Sequence, residues 1–165
     1  MNRLQTVHES LIPALVETVG AVSYLELGTY NNETIARVKV PKRYGVDIKA
    51  APLDGAVMFL MTTEEFIEGY AAIYAPYDVV FIDADHNKAA VERDFRGILP
   101  HVAHDGLILL HDTNPETEAD VVPGFCGDAW RFARTLHDER FEAVTLPYHP
   151  GLTIVRKRHT WGPSR

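Results

Sequence analysis

Residues 78–113, DVVFIDADHNKAAVERDFRGILPHVAHDGLILLHDT, contain two apolar strands separated by one helix. The runs DVVFID (78–83) and GLILLH (106–111) are almost continuously apolar, which is typical of strands buried on both faces of a parallel sheet. Residues 88–99 between them have the pattern of a helix, and Pro100 ends it. A strand, a helix and a second strand in this order form one unit of a parallel sheet.

The same alternation extends in both directions from this segment. The predicted elements are strands at 22–27, 43–47, 57–61, 141–146 and 151–156, and helices at 34–40, 63–73 and 127–138, with a loop at 112–125. The last two strands are joined by only four residues, 147–150, which is too short for a parallel crossover, so these strands should be antiparallel. The sequence therefore predicts an α/β fold, a three-layer Rossmann-like sandwich whose mostly parallel sheet has the order 3-2-1-4-5-7-6 with strand 7 antiparallel.

Two stretches depart from this regular alternation. Residues 4–19 predict an amphipathic helix that Pro13 interrupts and Gly20 ends. The apolar residues expected near one face of that helix are Leu4, Val7, Leu11, Leu15 and Val19. The connection from Asp47 to Val57 is shorter than a parallel crossover normally needs, so we expect a very short helix there or none.

The bulk composition is that of an ordinary globular protein. The chain has 165 residues, 46% hydrophobic and 24% charged, which predicts a single domain over 1–165 with an N-terminal helix in 1–20 and a tail at 158–165. A net charge of −7 disfavours nucleic acids and anionic membranes as partners. One cysteine, Cys126, excludes an intramolecular disulfide, and no apolar leader or long apolar run is present, so we expect a cytoplasmic protein.

The first candidate site follows the first strand, in ELGTYNNET (26–34). A glycine at Gly28 lets the backbone turn tightly and approach a ligand. Asp47 ends the second strand, where a carboxylate typically accepts hydrogen bonds from ribose hydroxyls. The structural alternative is a simple turn at Gly28, a helix cap at Asn32 and a solvated acid at Asp47.

The second candidate site lies where the fourth and fifth strands end. Asp83, Asp85 and His86 follow one strand, and His111 and Asp112 close the other. Because neighbouring parallel strands end at the same edge of a sheet, three carboxylates and two imidazoles should converge there. Like charges so close repel unless a cation or a proton compensates, and oxygen and imidazole donors suit Mg²⁺ or Mn²⁺. The structural alternative is that one or two of these acids cap the next helix.

These motifs resemble a known family. YLELGTYNNETIA (24–36) is similar to the first motif of class I S-adenosylmethionine-dependent methyltransferases. Residues 78–113 resemble the branch of metal-dependent O-methyltransferases of natural-product sugars and catechols, close to methyltransferase family 24. Members carry a strand ending in Phe-Ile-Asp-Gly/Ala-Asp-His, a helix, Leu-x-Pro and a strand ending in His-Asp or Asp-Asp. GDAWRF (127–132) and GLTIVRK (151–157) resemble the closing helix and final strand of that branch.

The resemblance implies a cofactor site for S-adenosylmethionine and a role for each matching residue. The implied cofactor-binding residues are Glu26, Gly28, Thr29, Tyr30, Asp47, Thr62, Thr63 and Asp83, with Asp47 on the ribose hydroxyls and the two threonines beside the adenine. The residues Thr62 and Thr63 fit a helix cap equally well. Where the family has a second glycine this chain has Asn32, which tolerates a positive φ.

The resemblance also implies the acceptor chemistry. Asp83 and Asp112 match metal ligands, His111 or Thr113 stands at the place of the third, and His86 and Asp83 match catalytic positions, with His86 as the base. This predicts O-methylation of a small hydroxylated acceptor assisted by Mg²⁺ or Mn²⁺.

Two alternative functions and the oligomeric state stay open. One is an NAD-dependent or nucleotide-sugar enzyme on a similar sheet. The other is a non-catalytic S-adenosylmethionine-binding or scaffold protein, which the short stretch before the first strand favours, because relatives place substrate-covering helices there. A homo-oligomer is compatible with either.

Overall fold

The computed structural model describes residues 6–122, 124–136 and 140–157. Leu4, the end of the predicted helix at Asp138 and the predicted tail 158–165 lie outside the described residues.

One sheet of seven strands forms the middle layer of the molecule. Its order is β3-β2-β1-β4-β5-β7-β6, and β7 runs antiparallel to both of its neighbours, which confirms the predicted topology. The strands are β1 (Ser23–Leu27), β2 (Lys42–Asp47), β3 (Val57–Leu60), β4 (Tyr77–Ile82), β5 (Val102–His111), β6 (Phe141–Leu146) and β7 (Leu152–Lys157).

The register of the parallel strands places their carboxyl ends side by side. Leu27 at the end of β1 is level with Val46 of β2 and Ile82 of β4. Ile82 is in turn level with Leu110 of β5. The residues that follow these four strands therefore lie along one edge of the sheet, where ligands bind in open α/β folds.

Helices cover both faces of the sheet. They are α1 (Val7–Thr18), α2 (Thr63–Gly69), α3 (Ala71–Tyr74), α4 (Lys88–Ile98) and α5 (Ala129–Ala133). On one face, Phe66 of α2, Phe95 of α4 and Phe132 of α5 belong to the apolar core. On the other face, Ile12 of α1 and Ile35 belong to a separate apolar core. The described helices include none with the length and apolar character that crossing a membrane requires.

The buried face of α1 differs from the predicted one. Ile12 and Val16 are fully buried, and His8 lies on the same face at a spacing of four residues. Val7 and Val19, which were expected on the buried face, are about half exposed, at 51% and 49%. The prediction of the buried face was wrong: Leu11 and Leu15 are only partly buried, at the border of the contact between α1 and the sheet.

The predicted helix at 34–40 does not form, and residues 30–37 make consecutive turns instead. Tyr30 and Asn32 have positive φ angles of 44° and 64°, so the segment begins in a conformation that no right-handed helix contains. Ala36 donates to the carbonyl of Asn32 four residues back, but Val38 donates only three residues back, to Ile35. Ile35 and Val38 are nevertheless fully buried. The apolar pattern that predicted a helix therefore identified the buried residues correctly, but these residues lie in turns.

Several boundaries also moved. The predicted helix at 63–73 is divided at Tyr70, whose φ of −128° is not helical, and the predicted helix at 127–138 is reduced to α5 and a 3₁₀ turn, Arg134–Leu136. The fifth strand begins at Val102 rather than 106. Residues 48–56, all of them described, contain no helix, as the short connection between β2 and β3 predicted.

Candidate active site

The turn after β1 requires glycine at position 28. Gly28 has φ of +91°, and a Cβ there would overlap the backbone carbonyl of Asp83. Its N–H donates to the carbonyl of Val46 at 2.8 Å, and the N–H of Asp83 donates to the carbonyl of Leu27 at 2.8 Å. The ends of β1, β2 and β4 are therefore joined through backbone atoms, and the predicted turn is present.

Asp47 lies at the end of β2, opposite this turn. Its Oδ2 accepts from the backbone N–H of Tyr30 at 2.9 Å, and its Oδ1 accepts from the N–H of Lys49 at 2.8 Å. The Asn32 side chain donates to the carbonyl of Ala51 at 3.2 Å, and its positive φ agrees with the prediction. The loops after β1 and β2 thus form one connected wall, with a half-buried carboxylate at its centre.

Two buried polar side chains lie beneath this wall. Glu26 accepts a hydrogen bond of 2.6 Å from the hydroxyl of Tyr24, and burial raises the pKa of Glu26 well above its usual range despite that bond. The hydroxyl of Thr29 is buried and has no hydrogen-bond partner among the described residues. Glu26 therefore packs under the turn, and the buried Thr29 hydroxyl lies beside it; the roles of both residues toward a cofactor stay predictions.

The two threonines after β3 have structural partners. Thr62 caps α2, because its hydroxyl accepts from the N–H of Glu65 and the Glu65 carboxylate accepts from the N–H of Thr62. The hydroxyl of Thr63 is buried and donates to Oδ1 of Asp94 on α4 at 3.0 Å. These contacts support the capping alternative, and the expected place of Thr62 and Thr63 beside an adenine stays a prediction.

The ends of β4 and β5 bring together the predicted acids and imidazoles. Nδ1 of His111 lies 2.9 Å from Oδ1 of Asp83 and 3.3 Å from Oδ1 of Asp112. On the other side, Nδ1 of His86 lies 2.8 Å from Oδ2 of Asp112, and its Nε2 lies 3.6 Å from Oδ1 of Asp83. Two carboxylates are therefore held between two imidazoles, and we call these four residues the His–Asp cluster.

Atoms of the His–Asp cluster lie at hydrogen-bonding distances, but their angles do not form aligned hydrogen bonds. Both ring nitrogens of His111 and Oδ2 of Asp112 are buried without a properly aligned hydrogen bond to any described residue. Asp112 itself has φ of +58°, a strained conformation for a residue with a side chain. Buried polar atoms that converge without bonding one another are costly unless a further group satisfies them, so the arrangement fits a bound cation.

Charge within the cluster shifts the pKa of three members. The close Asp112 carboxylate, 2.8 Å from Nδ1 of His86, raises the pKa of His86 to about 9, although burial opposes this. Burial lowers the pKa of His111, but the charges of Asp83 and Asp112 outweigh it and raise that pKa to about 10. Burial raises the pKa of Asp112, yet the two imidazoles hold it well below its usual range. Without a metal, two imidazolium ions would balance the carboxylates.

His8 of α1 is a neighbour of the cluster that the sequence analysis missed. Its ring meets that of His111 edge-on, with centroids 4.2 Å apart. Burial, and then the charge of His111, lower the pKa of His8 to about 4. The spacing of His8, Ile12 and Val16 at four-residue intervals could have placed this histidine on the buried face of α1.

The segment after β5 covers the cluster. Burial, followed by the charge of Asp112, raises the pKa of the Cys126 thiol to about 12. Burial and then the charges of Asp112 and Asp83 raise the pKa of Tyr148 to about 12. The carbonyl of Phe125 makes a short contact with Nδ1 of His86, which fixes the orientation of that ring.

A cleft of about 680 Å³ opens beside the cluster, between the ends of β2 and β4 and the segment after β5. It is lined by Ile48, Ala84, Asp85, His86, Asn87, Val121, Gly124, Gly127 and Asp128. A smaller cavity of about 290 Å³ lies near Arg43 and Gly55, at the opposite edge, away from the predicted site. The larger cleft is the one that could hold a ligand against His86.

The sheet order, the glycine turn after β1 and the acids after β2 and β4 form the arrangement expected for the class I methyltransferases. Comparison with known families agrees, because a family described as "Methyltransferase domain" matches residues 25–113, more than half of the chain. The chain therefore belongs to this methyltransferase family. The predicted resemblance to class I S-adenosylmethionine-dependent methyltransferases is confirmed.

One curated relative is the mycinamicin VI 2''-O-methyltransferase of Micromonospora griseorubida. It is 35% identical over 65 residues, which are 39% of this chain but only 15% of that protein. The chain thus covers a small part of this relative's length.

Solved structures share the fold. A Klebsiella pneumoniae protein described as an O-methyltransferase has a TM-score of 0.74 at 15% identity, over 96% of this chain and 83% of its own. The O-methyltransferase of Bacillus cereus in complex with S-adenosylhomocysteine has a TM-score of 0.68 at 18% identity, over 94% and 83%. MycE, a methyltransferase of mycinamycin biosynthesis in complex with Mg and S-adenosylhomocysteine, has a TM-score of 0.60 at 21% identity, over 82% and 45%.

Proposed function

We propose that this protein transfers the methyl group of S-adenosylmethionine to a hydroxyl of a small acceptor, with a divalent cation held by the His–Asp cluster. The observation that carries the proposal is the convergence of Asp83, His111 and Asp112 beside His86 and the cleft: Nδ1 of His111 lies 2.9 Å from Oδ1 of Asp83 and 3.3 Å from Oδ1 of Asp112. Membership in a methyltransferase family and the complexes of MycE with Mg, S-adenosylhomocysteine and mycinamycin VI support it.

The cofactor-binding wall is formed by the loops after β1 and β2. Gly28 lets a ligand approach the backbone, Thr29 supplies a buried hydroxyl, and Asp47 presents a carboxylate to the ribose hydroxyls. Thr62 and Thr63, at the start of α2, would border the adenine. S-adenosylmethionine, when bound, supplies an activated methyl group on sulfur.

The donor set of the cluster fits a divalent cation. Adjacent donors on an ion with bonds of about 2.1 Å lie roughly 3 Å apart. The distances from Nδ1 of His111 to the oxygens of Asp83 and Asp112, 2.9 and 3.3 Å, match that separation. Asp83, His111 and Asp112 would hold the ion, which lowers the pKa of a bound hydroxyl and orients it.

His86 is placed to accept the proton of the acceptor hydroxyl. It lines the cleft, and its ring is held by the carbonyl of Phe125 and by Asp112. Asp112 is the main cause of the raised pKa of His86. A cation held by Asp112 would offset the charge of that carboxylate on His86, and the imidazole would then be available as the base.

The experiment is a two-stage assay. Calorimetric titration with S-adenosylhomocysteine and with NAD separates the methyltransferase from a dinucleotide-dependent enzyme on a similar sheet. Transfer of labelled methyl groups to a panel of hydroxylated sugars and phenols, with Mn²⁺, Mg²⁺ or chelator, then tests turnover. Binding of S-adenosylhomocysteine with no transfer to any acceptor would favour a non-catalytic cofactor-binding protein.

A further inference from the structure

His8 of α1 lies close enough to Asp83 and His111 to complete a second group of ligand atoms. One ligand atom from each of these residues lies within 4.8 Å of the others. Asp83 is shared with the group it forms with His86 and Asp112, so the same carboxylate has imidazoles on two sides. His8 comes from a different layer of the molecule from the four residues of the His–Asp cluster, because α1 packs on the sheet from the face that buries Ile12 and Val16.

Two features of this place indicate a ligand site, beside the Thr6 hydroxyl that lies 3.2 Å from Nε2 and 3.3 Å from Nδ1 of His8. His8 is buried, and its ring meets that of His111 edge-on at 4.2 Å, so the two imidazoles are neighbours without being stacked. Both ring nitrogens of His111 are buried and lack an aligned hydrogen bond within the described residues. Such nitrogens are costly to bury unless they bind something, and a cation accepts electron pairs from several of them at once.

The chemistry of the donors selects the type of cation. Mg²⁺ prefers a near-octahedral set of oxygen ligands and retains several waters. Imidazole nitrogens suit Zn²⁺, Fe²⁺, Co²⁺ and Ni²⁺, and two histidines with one carboxylate on adjacent positions form a familiar set for such ions. A site with His8, His111 and Asp83 is therefore of a different type from one made of carboxylates alone.

We infer that His8 is a ligand of the divalent cation in the His–Asp cluster, together with Asp83 and His111, and that this site takes a transition-metal ion in preference to Mg²⁺. His86 then lies outside the ligand set, facing the cleft, where it remains free to accept a proton. The inference rests on the proposed function for the cation's place beside an acceptor. Cation binding itself can be measured without turnover.

The test is Co²⁺ binding to protein first treated with chelator, followed through the visible absorption of the bound ion. Four proteins are compared: the unaltered chain, His8→Gln, His86→Gln and His104→Gln. His104 is exposed near the start of β5, at the opposite edge of the sheet, and receives the same change as a matched control. Mg²⁺ affinity is measured in each by competition with Co²⁺.

His8→Gln should weaken Co²⁺ binding by about tenfold or more, since even the outer partners of metal ligands commonly contribute that much. Its Mg²⁺ affinity should change much less, so the preference for Co²⁺ falls. His104→Gln should retain the Co²⁺ affinity of the unaltered chain, and His86→Gln, which removes only a neighbour of Asp83 and Asp112, should lose less affinity than His8→Gln. The inference is overturned if His8→Gln binds Co²⁺ as tightly as His104→Gln, if only His86→Gln loses the ion, or if the unaltered chain binds no Co²⁺.

Two further measurements keep the result interpretable. Circular dichroism establishes that each variant is folded. If His8→Gln does not fold, nitrogen NMR of the imidazole rings of the unaltered protein decides: Zn²⁺ should shift the ring nitrogens of His8 and His111, and an unmoved His8 signal refutes the inference. Titration of the unaltered chain with S-adenosylhomocysteine is done in parallel, and its failure would count against the proposed function alone.

Discussion

The carboxylate of Asp47 accepts a hydrogen bond of 2.9 Å from the backbone N–H of Tyr30, which joins the loop after β2 to the loop after β1. Tyr30 has a positive φ of 44°, so this bond also helps to hold an unfavourable backbone conformation. Together with the N–H of Lys49, the N–H of Tyr30 fixes the orientation of the carboxylate within the protein itself. Preorganisation of this kind reduces the ordering cost of binding.

Asp47→Ala should lower the affinity for S-adenosylhomocysteine by roughly ten- to a hundredfold, corresponding to about 1.5–3 kcal/mol for a lost hydrogen bond to a charged group. Calorimetric titration measures it. Asp54→Ala is the control, because Asp54 is an exposed acid in the same connection between β2 and β3. Equal affinities in the two variants would remove Asp47 from the cofactor site.

Gly28→Ala should destabilise the protein by about 1–3 kcal/mol, because φ of +91° is strained for alanine and the new Cβ overlaps the Asp83 backbone. Cofactor affinity should fall with it, since the turn would have to move. The urea midpoint of unfolding provides the measurement. Gly69→Ala in α2 is the matched change, with no atom near the added methyl and no positive φ; a Gly28→Ala protein as stable as Gly69→Ala would contradict the close approach.

The sheet could be predicted from sequence because its determinants are local. The apolar runs of β4 and β5 identify buried strands, and the short join between β6 and β7, residues 147–151, dictates antiparallel pairing. The segment 34–40 was predicted wrongly because apolar spacing reports which residues are buried and not which backbone buries them. Ile35 and Val38 satisfy that spacing from turns that begin at two positive-φ residues.

The candidate site was only partly predictable for a different reason. Asp83, His86, His111 and Asp112 follow strands, so topology alone brings them together. His8 reaches the same place through the packing of α1 on the sheet. The spacing of apolar residues predicted a buried face one residue away from the observed face, because side-chain fit decides which face packs. The hydrogen bond between Thr63 and Asp94 was likewise invisible, because it joins two helices far apart in the chain.

Asp112→Asn should abolish the stabilisation that a divalent cation confers while leaving the affinity for S-adenosylhomocysteine nearly intact. The change removes one anionic ligand of the proposed metal site, whereas the proposed cofactor site belongs to the loops after β1 and β2. The measurement is the rise in melting temperature when Mn²⁺ is added to chelator-treated protein. Asp105→Asn, an exposed acid near Gly106 on β5, should keep the full rise. A Mn²⁺ response that survives in Asp112→Asn would remove Asp112 from the ligand set.

Thr63→Val should lower the free energy of unfolding by about 1–3 kcal/mol, because it leaves the buried carboxylate of Asp94 without one hydrogen bond. Urea unfolding gives the stability, and Thr135→Val is a comparison in which a partly buried hydroxyl bonds only to the carbonyl of Phe132. Affinity for S-adenosylhomocysteine, measured in the same variant, tests the separate prediction that Thr63 borders the adenine. A stability equal to the unaltered chain would show that Asp94 does not depend on Thr63.

Chelator-treated protein should lose stability as the pH rises from about 6.5 to about 10. The pKa values of His86 and His111 are raised in the folded state, to about 9 and about 10, so their contribution is complete below the unfolded value of 6.5 and is lost as the pH climbs through the folded values. Urea midpoints across this range measure the decline. His86→Gln should make the decline shallower, and His104→Gln should leave it unchanged.

With Mn²⁺ present the decline should disappear, because imidazoles bind the ion only when deprotonated and its binding strengthens as pH rises. A stability that does not change with pH in the chelator-treated protein would show that Asp83 and Asp112 do not stabilise the protonated imidazoles of the His–Asp cluster.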